Sequence, residues 1–307
     1  MKKPGLLQMI RAPFLSSIMA PTLVGTLLSV SLSGELNLPG FLLVLIIGIG
    51  LHAATNVYND IYDTLQGTDK VNVHRNENSG GSGILQNFPE LMGRMFMVAR
   101  WSLVVALAGT VALLFFIEKT FWPHLIILYG LSAFFSKYYT APPVKLAYRG
   151  LGEVAVWFAF GPMAILIAAV GQNIGLHPLV IAMMPATGLS TLSILLVGQL
   201  FDLDADRDGG KHGVASRLGT RFAAWLYFFV QLAIVANIIL LYFSLQDVAW
   251  PVLLSLLPYL LLFPKAAAIV LKYHDRPDQL KQGAKFTVMT HLGFSVMLVI
   301  GLLIIVL

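Results

Sequence analysis

Apolar runs of roughly 20 residues, separated by short polar segments, follow one another along almost the whole chain. A helix needs roughly that many apolar residues to cross the hydrocarbon core of a bilayer. The pattern therefore predicts an all-α membrane protein with nine spans. The predicted spans are 13–33, 38–59, 94–117, 121–138, 152–172, 178–201, 221–244, 249–271 and 286–307. No soluble segment of domain size lies between them, so we predict a single membrane domain over residues 1–307.

The composition supports a protein that uses the bilayer as its solvent. The chain is 57% hydrophobic and only 11% charged, whereas a soluble domain carries about 25% charged residues. So few charges cannot coat a water-soluble globule of this length. Cysteine is absent, which excludes disulfides and thiolate-bound metals.

The basic residues predict the orientation in the membrane. The predicted N-terminal segment, the loops after even-numbered spans and the nearby helix ends hold 19 of the 20 lysines and arginines, and Lys119 alone lies on the other side. The positive-inside rule then places the N-terminus in the cytoplasm and the C-terminus outside. The net charge of +5 is thereby explained by topology, and we expect no nucleic-acid partner.

The second predicted span ends in a stripe of oxygen-bearing side chains. Asn56, Asp60 and Asp63 are spaced four and three residues apart, so they share one face of a helix. Acids at a membrane helix end are costly unless something neutralises them, and carboxylate and amide oxygens suit Mg²⁺. The alternative is a helix end with carboxylates solvated by the cytoplasm.

A second acidic segment follows the sixth predicted span. Asp202 and Asp206 are four residues apart, within a run that also holds Asp204 and Asp208. The run lacks the glycine spacing and terminal glutamate of a calcium-binding EF-hand loop. Two carboxylate sets at the same membrane face can bridge a diphosphate through Mg²⁺ ions, and the surrounding helices predict a central apolar cavity for an isoprenoid tail.

These two motifs, with Asp60 and Asp202 standing 142 residues apart, resemble those of the UbiA superfamily of intramembrane prenyltransferases. Arg11, Pro13 and Pro21 are similar to the superfamily's N-terminal pattern. The resemblance covers nearly the whole chain. It implies nine helices, both motifs at the cytoplasmic face, and residence in the inner membrane of a bacterial or archaeal cell.

The form Asn59-Asp60-x-x-Asp63-x5-Asp69 resembles the 1,4-dihydroxy-2-naphthoate polyprenyltransferases of menaquinone synthesis. Gln199 and Phe201 depart from that subfamily's pattern before the second motif. The implied reaction is Mg²⁺-dependent transfer of a polyprenyl group from polyprenyl diphosphate to an aromatic acceptor in the lipid membrane. Dihydroxynaphthoate is the favoured acceptor, and 4-hydroxybenzoate and geranylgeranylglyceryl phosphate stay open.

The resemblance also implies roles for individual residues. The expected metal ligands are Asn56, Asp60, Asp63, Asp202 and Asp206. The expected contacts to the diphosphate are Asn56, Arg75, Lys145 and Lys211. The expected catalytic residues are Asp69, Tyr139 and Lys145. Asp69 is a metal ligand or a base, Tyr139 stabilises an allylic cation or belongs to the interfacial aromatic belt, and Lys211 has topology as its alternative role.

Three further polar residues have plainer interpretations. We expect His52 and His291 each to be a buried neutral histidine that is hydrogen-bonded to a neighbouring helix. Glu153 begins the fifth span, where a carboxylate favours the helix dipole, and the resemblance offers a cavity-lining role instead.

A different class of function is an ion-coupled secondary transporter. Transporters place their charged residues near the bilayer midplane, often beside broken helices. Here the acids cluster at one membrane face, beside loops rich in lysine and arginine. The pattern therefore favours the enzyme.

Overall fold

The computed structural model describes residues 3–68, 81–245 and 250–307, and every regular element in these ranges is helical. The long helices are α1 (Ser16–Ser33), α2 (Leu38–Gln66), α3 (Met92–Leu113), α4 (Trp122–Tyr138), α5 (Gly152–Gly171), α6 (Pro178–Phe201), α7 (Thr220–Leu245), α8 (Phe263–Tyr273) and α9 (Pro277–Val306). Shorter helical turns are Leu6–Met9, Ala12–Leu15, Ile84–Asn87, Pro89–Leu91, Lys119–Phe121, Leu146–Arg149, Leu203–Asp208, Val214–Leu218, Trp250–Leu256 and Leu257–Leu261.

The helices confirm an all-α integral membrane protein. Seven helices in the described ranges are long and apolar enough to cross a bilayer, and a bent pair adds an eighth. That pair, Trp250–Leu261 and Phe263–Tyr273, bends by 40° next to Pro264, whose ring nitrogen cannot donate to the preceding turn. α4 coincides with the fourth predicted span but has only 17 residues. The count of nine spans and the side of the N-terminus therefore stay predictions.

The helices enclose a cavity and a main hydrophobic core. α6, α7, α8 and α9 pack together around buried aliphatic and aromatic side chains. α1, α2, α4, α5 and α6 supply the cavity walls. Large apolar side chains such as Phe115, Leu240 and Phe243 are exposed, as expected for surfaces that face lipid chains.

α5 contains one π-helical turn, Ala159–Met163, which accommodates Pro162 inside the helix. Gly161 of this turn and Gly188 of α6 bring the backbones of the two helices into direct contact, because a Cβ atom at either position would overlap a backbone carbonyl of the other helix. The turn directs Phe160 into the cavity wall. Turns of this kind are frequent at functional sites.

Candidate functional site

The cavity is polar at one end and apolar along its body. Its volume is about 300 Å³. The apolar walls include Val44, Leu51, Met163 and Ile167. The polar end is lined by Arg11, Asn56, Asn59, Asp63, Glu153, Gln199, Asp202, Asp206 and Lys211. The two acidic motifs, far apart in sequence, therefore meet at one end of one cavity.

Asp60 is buried at the end of α2, against the N-terminal segment. Its Oδ1 atom accepts a hydrogen bond from the backbone N–H of Ser82 at 3.2 Å and lies 3.9 Å from Nη1 of Arg11. Its Oδ2 atom has no hydrogen-bond partner among the described residues, and neither has Oδ1 of Asn59. Arg11 adopts a left-handed backbone conformation (φ 53°), and its guanidinium lies 4.4 Å from the ring centroid of Phe14.

Asp63 joins the first motif to the loop that follows the second. Its Oδ2 atom lies 2.7 Å from Nζ of Lys211, and its Oδ1 atom accepts a 2.7 Å hydrogen bond from the hydroxyl of Tyr148. The Tyr148 hydroxyl also lies 2.9 Å from Oγ1 of Thr68. Burial would lower the pKa of Lys211, but the carboxylates of Asp63 and Asp206 outweigh burial and raise that pKa above its ordinary value.

The second motif is built around the end of α6. The helix ends at Phe201 and a short helix, Leu203–Asp208, continues from Asp202. The Asp206 N–H donates to the Asp202 carbonyl at 2.7 Å, so the four-residue spacing is helical as predicted. Burial raises the pKa of Asp206 to about 7, and the nearby Lys211 ammonium opposes this shift.

Glu153 holds the loop after the second motif in place. Its Oε1 atom accepts hydrogen bonds of 2.7 Å from Nε2 of Gln199 and from the backbone N–H of Val214. Gln199 in turn accepts a hydrogen bond from the Ala215 N–H. Gln199, which departs from the expected subfamily pattern, therefore has a positioning role that it shares with Glu153.

The residues at the polar end suit a Mg²⁺ ion that is coordinated partly by protein oxygens and partly by the oxygens of a bound diphosphate. The donors are hard carboxylate and amide oxygens, and the buried Asp60 Oδ2 and Asn59 Oδ1 atoms lack protein partners in the described ranges. No group of three or more Asp, Glu, His or Cys residues within those ranges lies close enough to hold a metal ion by itself. Mg²⁺ usually completes its shell with water and substrate phosphates, so a partial protein site suits it.

The other predicted site residues fall into three groups: one that lines the cavity, one that does not, and two outside the described residues. Tyr139 lines the cavity near Asp63, Asp206, Glu153 and Lys211, and burial raises the pKa of its phenol above the ordinary value. The Lys145 ammonium lies 5.6 Å from the Tyr148 ring centroid, and Lys145 is not among the described residues that line the cavity. Asp69 and Arg75 lie outside the described residues.

Several residues of the polar end had no role assigned from the sequence. Tyr148 and Thr68 anchor Asp63, Ser82 binds Asp60, and Asn59 adds an unpartnered oxygen. Asn59 directly precedes Asp60 in the motif, and this adjacency is the feature of the sequence that could have identified Asn59 as a site residue. Tyr148, 85 positions from Asp63, has no pattern in the sequence that connects the two.

One protein family matches most of the chain. The model of the UbiA prenyltransferase family matches residues 18–294. The chain belongs to the UbiA prenyltransferase family. This confirms the resemblance found in the sequence, and it makes the chain a membrane-embedded prenyltransferase.

The names of two similar proteins refer to naphthoquinone or naphthoate substrates. A 2-carboxy-1,4-naphthoquinone phytyltransferase of Synechocystis sp. is 25% identical over 293 residues, which cover 94% of this chain and 89% of the relative. A 1,4-dihydroxy-2-naphthoate octaprenyltransferase of Mycobacterium tuberculosis is 29% identical over 187 residues, which cover 61% of this chain and 60% of the relative.

A solved structure shares the fold of this UbiA prenyltransferase. The structure of a UbiA homologue from Archaeoglobus fulgidus bound to DMAPP and Mg²⁺ matches with a TM-score of 0.58 and 14% sequence identity. The match covers 96% of this chain and 99% of the homologue. At this identity the likeness establishes the helical architecture.

Proposed function

We propose that this UbiA prenyltransferase transfers a polyprenyl group from polyprenyl diphosphate to 1,4-dihydroxy-2-naphthoate, with Mg²⁺ as the required ion. One observation carries the proposal: both acidic motifs open into the polar end of a single cavity whose body is apolar. A polyprenyl diphosphate has the same division between a charged head and a long apolar tail. The names of the two relatives support the naphthoate acceptor.

In this proposal Asn56, Asp60 and Asp63, together with Asp202 and Asp206, hold Mg²⁺, which would neutralise the charge of the departing diphosphate. Lys211 and Arg11 line the same end of the cavity and add positive charge beside the phosphate oxygens. Lys211 pairs with Asp63 at 2.7 Å, so its ammonium is held where an arriving diphosphate can bind it. Arg75 and Lys145 remain proposed contacts to the diphosphate, and Asp69 remains a proposed ligand or base.

The apolar body of the cavity supports the carbon chemistry. The C1–O bond of the prenyl diphosphate breaks, and its electron pair leaves with pyrophosphate. The rings of Phe135, Tyr139 and Phe160 line the cavity and can stabilise the allylic cation through their faces. The apolar walls exclude water that would otherwise capture the cation.

The acceptor completes the reaction. A ring carbon of dihydroxynaphthoate supplies the electron pair of the new C–C bond. The carboxylate on that ring carbon leaves as CO₂, and the electrons of its C–C bond restore the aromatic ring, which gives the prenylated naphthoquinol. In keeping with the predicted topology, we propose that the site faces the cytoplasm from the inner membrane of a bacterial or archaeal cell.

Membranes containing the expressed protein, supplied with prenyl diphosphate, dihydroxynaphthoate and Mg²⁺, test the proposal. We expect demethylmenaquinol, which air oxidises to demethylmenaquinone, with little product when 4-hydroxybenzoate or geranylgeranylglyceryl phosphate replaces the naphthoate. Folded, active protein that prenylates one of those acceptors in preference to dihydroxynaphthoate would overturn the acceptor assignment.

A further inference from the structure

His52 lies inside α2 with a ring nitrogen that the described protein does not satisfy. The side chain is 8% exposed and lines the cavity, and its Nδ1 atom is buried with no hydrogen-bond partner among the described residues. His291, the other histidine inside a span near the cavity, differs. Its Nδ1 atom lies 2.9 Å from Oγ of Ser190, and its Nε2 atom lies 3.4 Å from Oγ of Ser17. The expectation of a hydrogen bond to a neighbouring helix therefore holds for His291, whereas Nδ1 of His52 has no such bond.

The position of His52 along α2 separates the two halves of the cavity. The stripe of α2 that lines the cavity is Val44, Gly48, Leu51, His52, Thr55, Asn56, Asn59 and Asp63. His52 stands one turn below Asn56 and eight residues from Asp60, which is about 12 Å along the helix axis. Below it the stripe continues with Gly48 and Val44. His52 therefore lies where the diphosphate-binding end gives way to the apolar slot.

Neighbouring hydroxyl groups of the wall are already hydrogen-bonded. The Thr55 and Ser136 hydroxyls both donate to the carbonyl of Leu51, at 2.9 Å and 3.1 Å. The Thr22 hydroxyl donates to the Ile18 carbonyl at 2.9 Å. These groups have no need of a ligand, which distinguishes them from His52.

The imidazole ring is also held in a fixed orientation. It packs edge-on against Phe160, with ring centroids 5.0 Å apart and planes at 78°. Phe160 belongs to the π-helical turn of α5, and its ring lines the same cavity. A histidine that is held by an aromatic ring and leaves one nitrogen unpaired resembles a preorganised binding group more than a structural one.

We propose that His52 forms a hydrogen bond with a ring hydroxyl of the aromatic acceptor and so sets the acceptor's position. A buried unpaired nitrogen costs free energy unless a ligand supplies the missing partner. The prenyl tail has no hydrogen-bonding group, and the proposed diphosphate contacts on α2 begin at Asn56, one turn or about 6 Å above His52. The hydroxylated acceptor is then the substrate whose polar atoms reach this depth. This inference rests on the proposed function and names the contact that orients the acceptor.

Steady-state kinetics of two His52 variants test the inference. His52→Leu should raise the KM for dihydroxynaphthoate by about tenfold or more, which corresponds to one lost hydrogen bond of about 1.4 kcal/mol. The KM for prenyl diphosphate should change by less than about twofold. His52→Asn keeps a polar atom near the position of Nδ1 and should recover most of the acceptor affinity.

His291→Asn is the matched control, because it also removes a buried histidine from a membrane helix. It should lower the unfolding temperature without raising the acceptor KM selectively. An equal rise in acceptor KM for His291→Asn and His52→Leu would overturn the inference, since that result would indicate a general effect of destabilisation.

Acceptor analogues provide a second readout that a structural role would not change. Naphthoates that lack the 1-hydroxyl or the 4-hydroxyl are used as competitive inhibitors of the wild type and of His52→Leu. Loss of one of the two hydroxyls should weaken binding to the wild type about tenfold and leave binding to the variant unchanged, because the variant has already lost the partner. Equal losses in both proteins would overturn the inference and leave the proposed function intact. A wild type that prenylates no hydroxylated aromatic acceptor would overturn both.

Discussion

Asp60 is a buried carboxylate whose Oδ2 atom has no hydrogen-bond partner among the described residues. An incompletely paired buried charge destabilises the fold, so we expect Asp60 to serve the reaction and not the stability of the protein. Asp60→Asn should reduce prenyl transfer at least about a hundredfold, as expected for loss of a metal ligand. The unfolding temperature of the variant should equal or exceed that of the wild type.

Activity assays and thermal unfolding in detergent check this prediction together. Glu153→Ala is a useful comparison, because Glu153 accepts two hydrogen bonds of 2.7 Å. That variant should lose stability, by about 1–3 kcal/mol, since two buried donors lose their acceptor. An Asp60→Asn protein that is less stable than Glu153→Ala would contradict the assignment of Asp60 as a functional residue.

The raised pKa of Asp206 leads to a prediction of how the stability of the metal-free protein depends on pH. Burial raises its pKa to about 7 in the folded chain, whereas an unfolded aspartate titrates near about 3.9. Between these values the folded state binds the proton more tightly. The resulting contribution to stability is therefore fully present below about pH 4 and is lost as the pH rises through about 7.

Unfolding of chelator-treated protein at several pH values measures this contribution. Asp206→Asn should flatten the decline between pH 4 and 7. Mg²⁺ added above pH 7 should restore stability to the wild type, because a ligand that binds only the folded state stabilises it. An identical pH slope in wild type and variant would show that Asp206 is not the group responsible.

At the residue scale, the helical spacing within each motif could be read from the sequence, whereas the hydrogen-bond partners of these side chains could not. The helical spacings of Asp60, Asp63, Asp202 and Asp206 are local, and the structure brings Asp63, Asp202 and Asp206 to one end of one cavity, whereas Asp60 is buried and is not among the described residues that line it. The Asp63 contacts with Tyr148 and Lys211 span 85 and 148 positions. Contacts of this kind depend on how the helices are arranged, which periodicity does not encode.

Gly161 and Gly188 place the backbones of α5 and α6 in direct contact next to the cavity. A Cβ atom on Gly188 would overlap the Trp157 carbonyl, so Gly188→Ala should push the helices apart and lower stability by about 1–3 kcal/mol. Gly130 of α4 is the control, because a Cβ there meets nothing within 4 Å. Gly130→Ala should be neutral or stabilise the protein by about 0.5–1 kcal/mol. Denaturant titration of both variants measures the difference, and equal effects would contradict the packing argument.

At the element scale, the hydrophobic pattern placed the helices well and misjudged some of their ends. The second span was predicted to end at residue 59, and the helix continues past it to Gln66, as the helical spacing of Asn56, Asp60 and Asp63 indicated. α9 was predicted to begin at residue 286 and begins at Pro277. Apolar runs mark where a helix meets lipid, whereas polar turns outside the bilayer extend the same helix. The π-helical turn in α5 has no signal in the sequence beyond Pro162.

The whole molecule offers a direct test of topology, because the chain contains no cysteine. Single cysteines at Lys3 and Leu307 can be labelled in intact cells with a reagent that does not cross the membrane. Nine spans and the positive-inside rule predict labelling of Leu307→Cys and protection of Lys3→Cys. The same accessibility for both positions would indicate an even number of spans and would contradict the predicted count.

Prenyl transfer by the purified protein tests the central claim most directly. The measurement is the transfer of labelled geranylgeranyl diphosphate to dihydroxynaphthoate, with Mg²⁺ and with excess chelator, by the wild type and by Asp202→Asn. We predict labelled prenylated naphthoquinol, detected as the quinone after oxidation in air, from the wild type with Mg²⁺, at least about a hundredfold less from the variant, and none with chelator. Undiminished transfer in the presence of chelator, or by Asp202→Asn, would contradict the account.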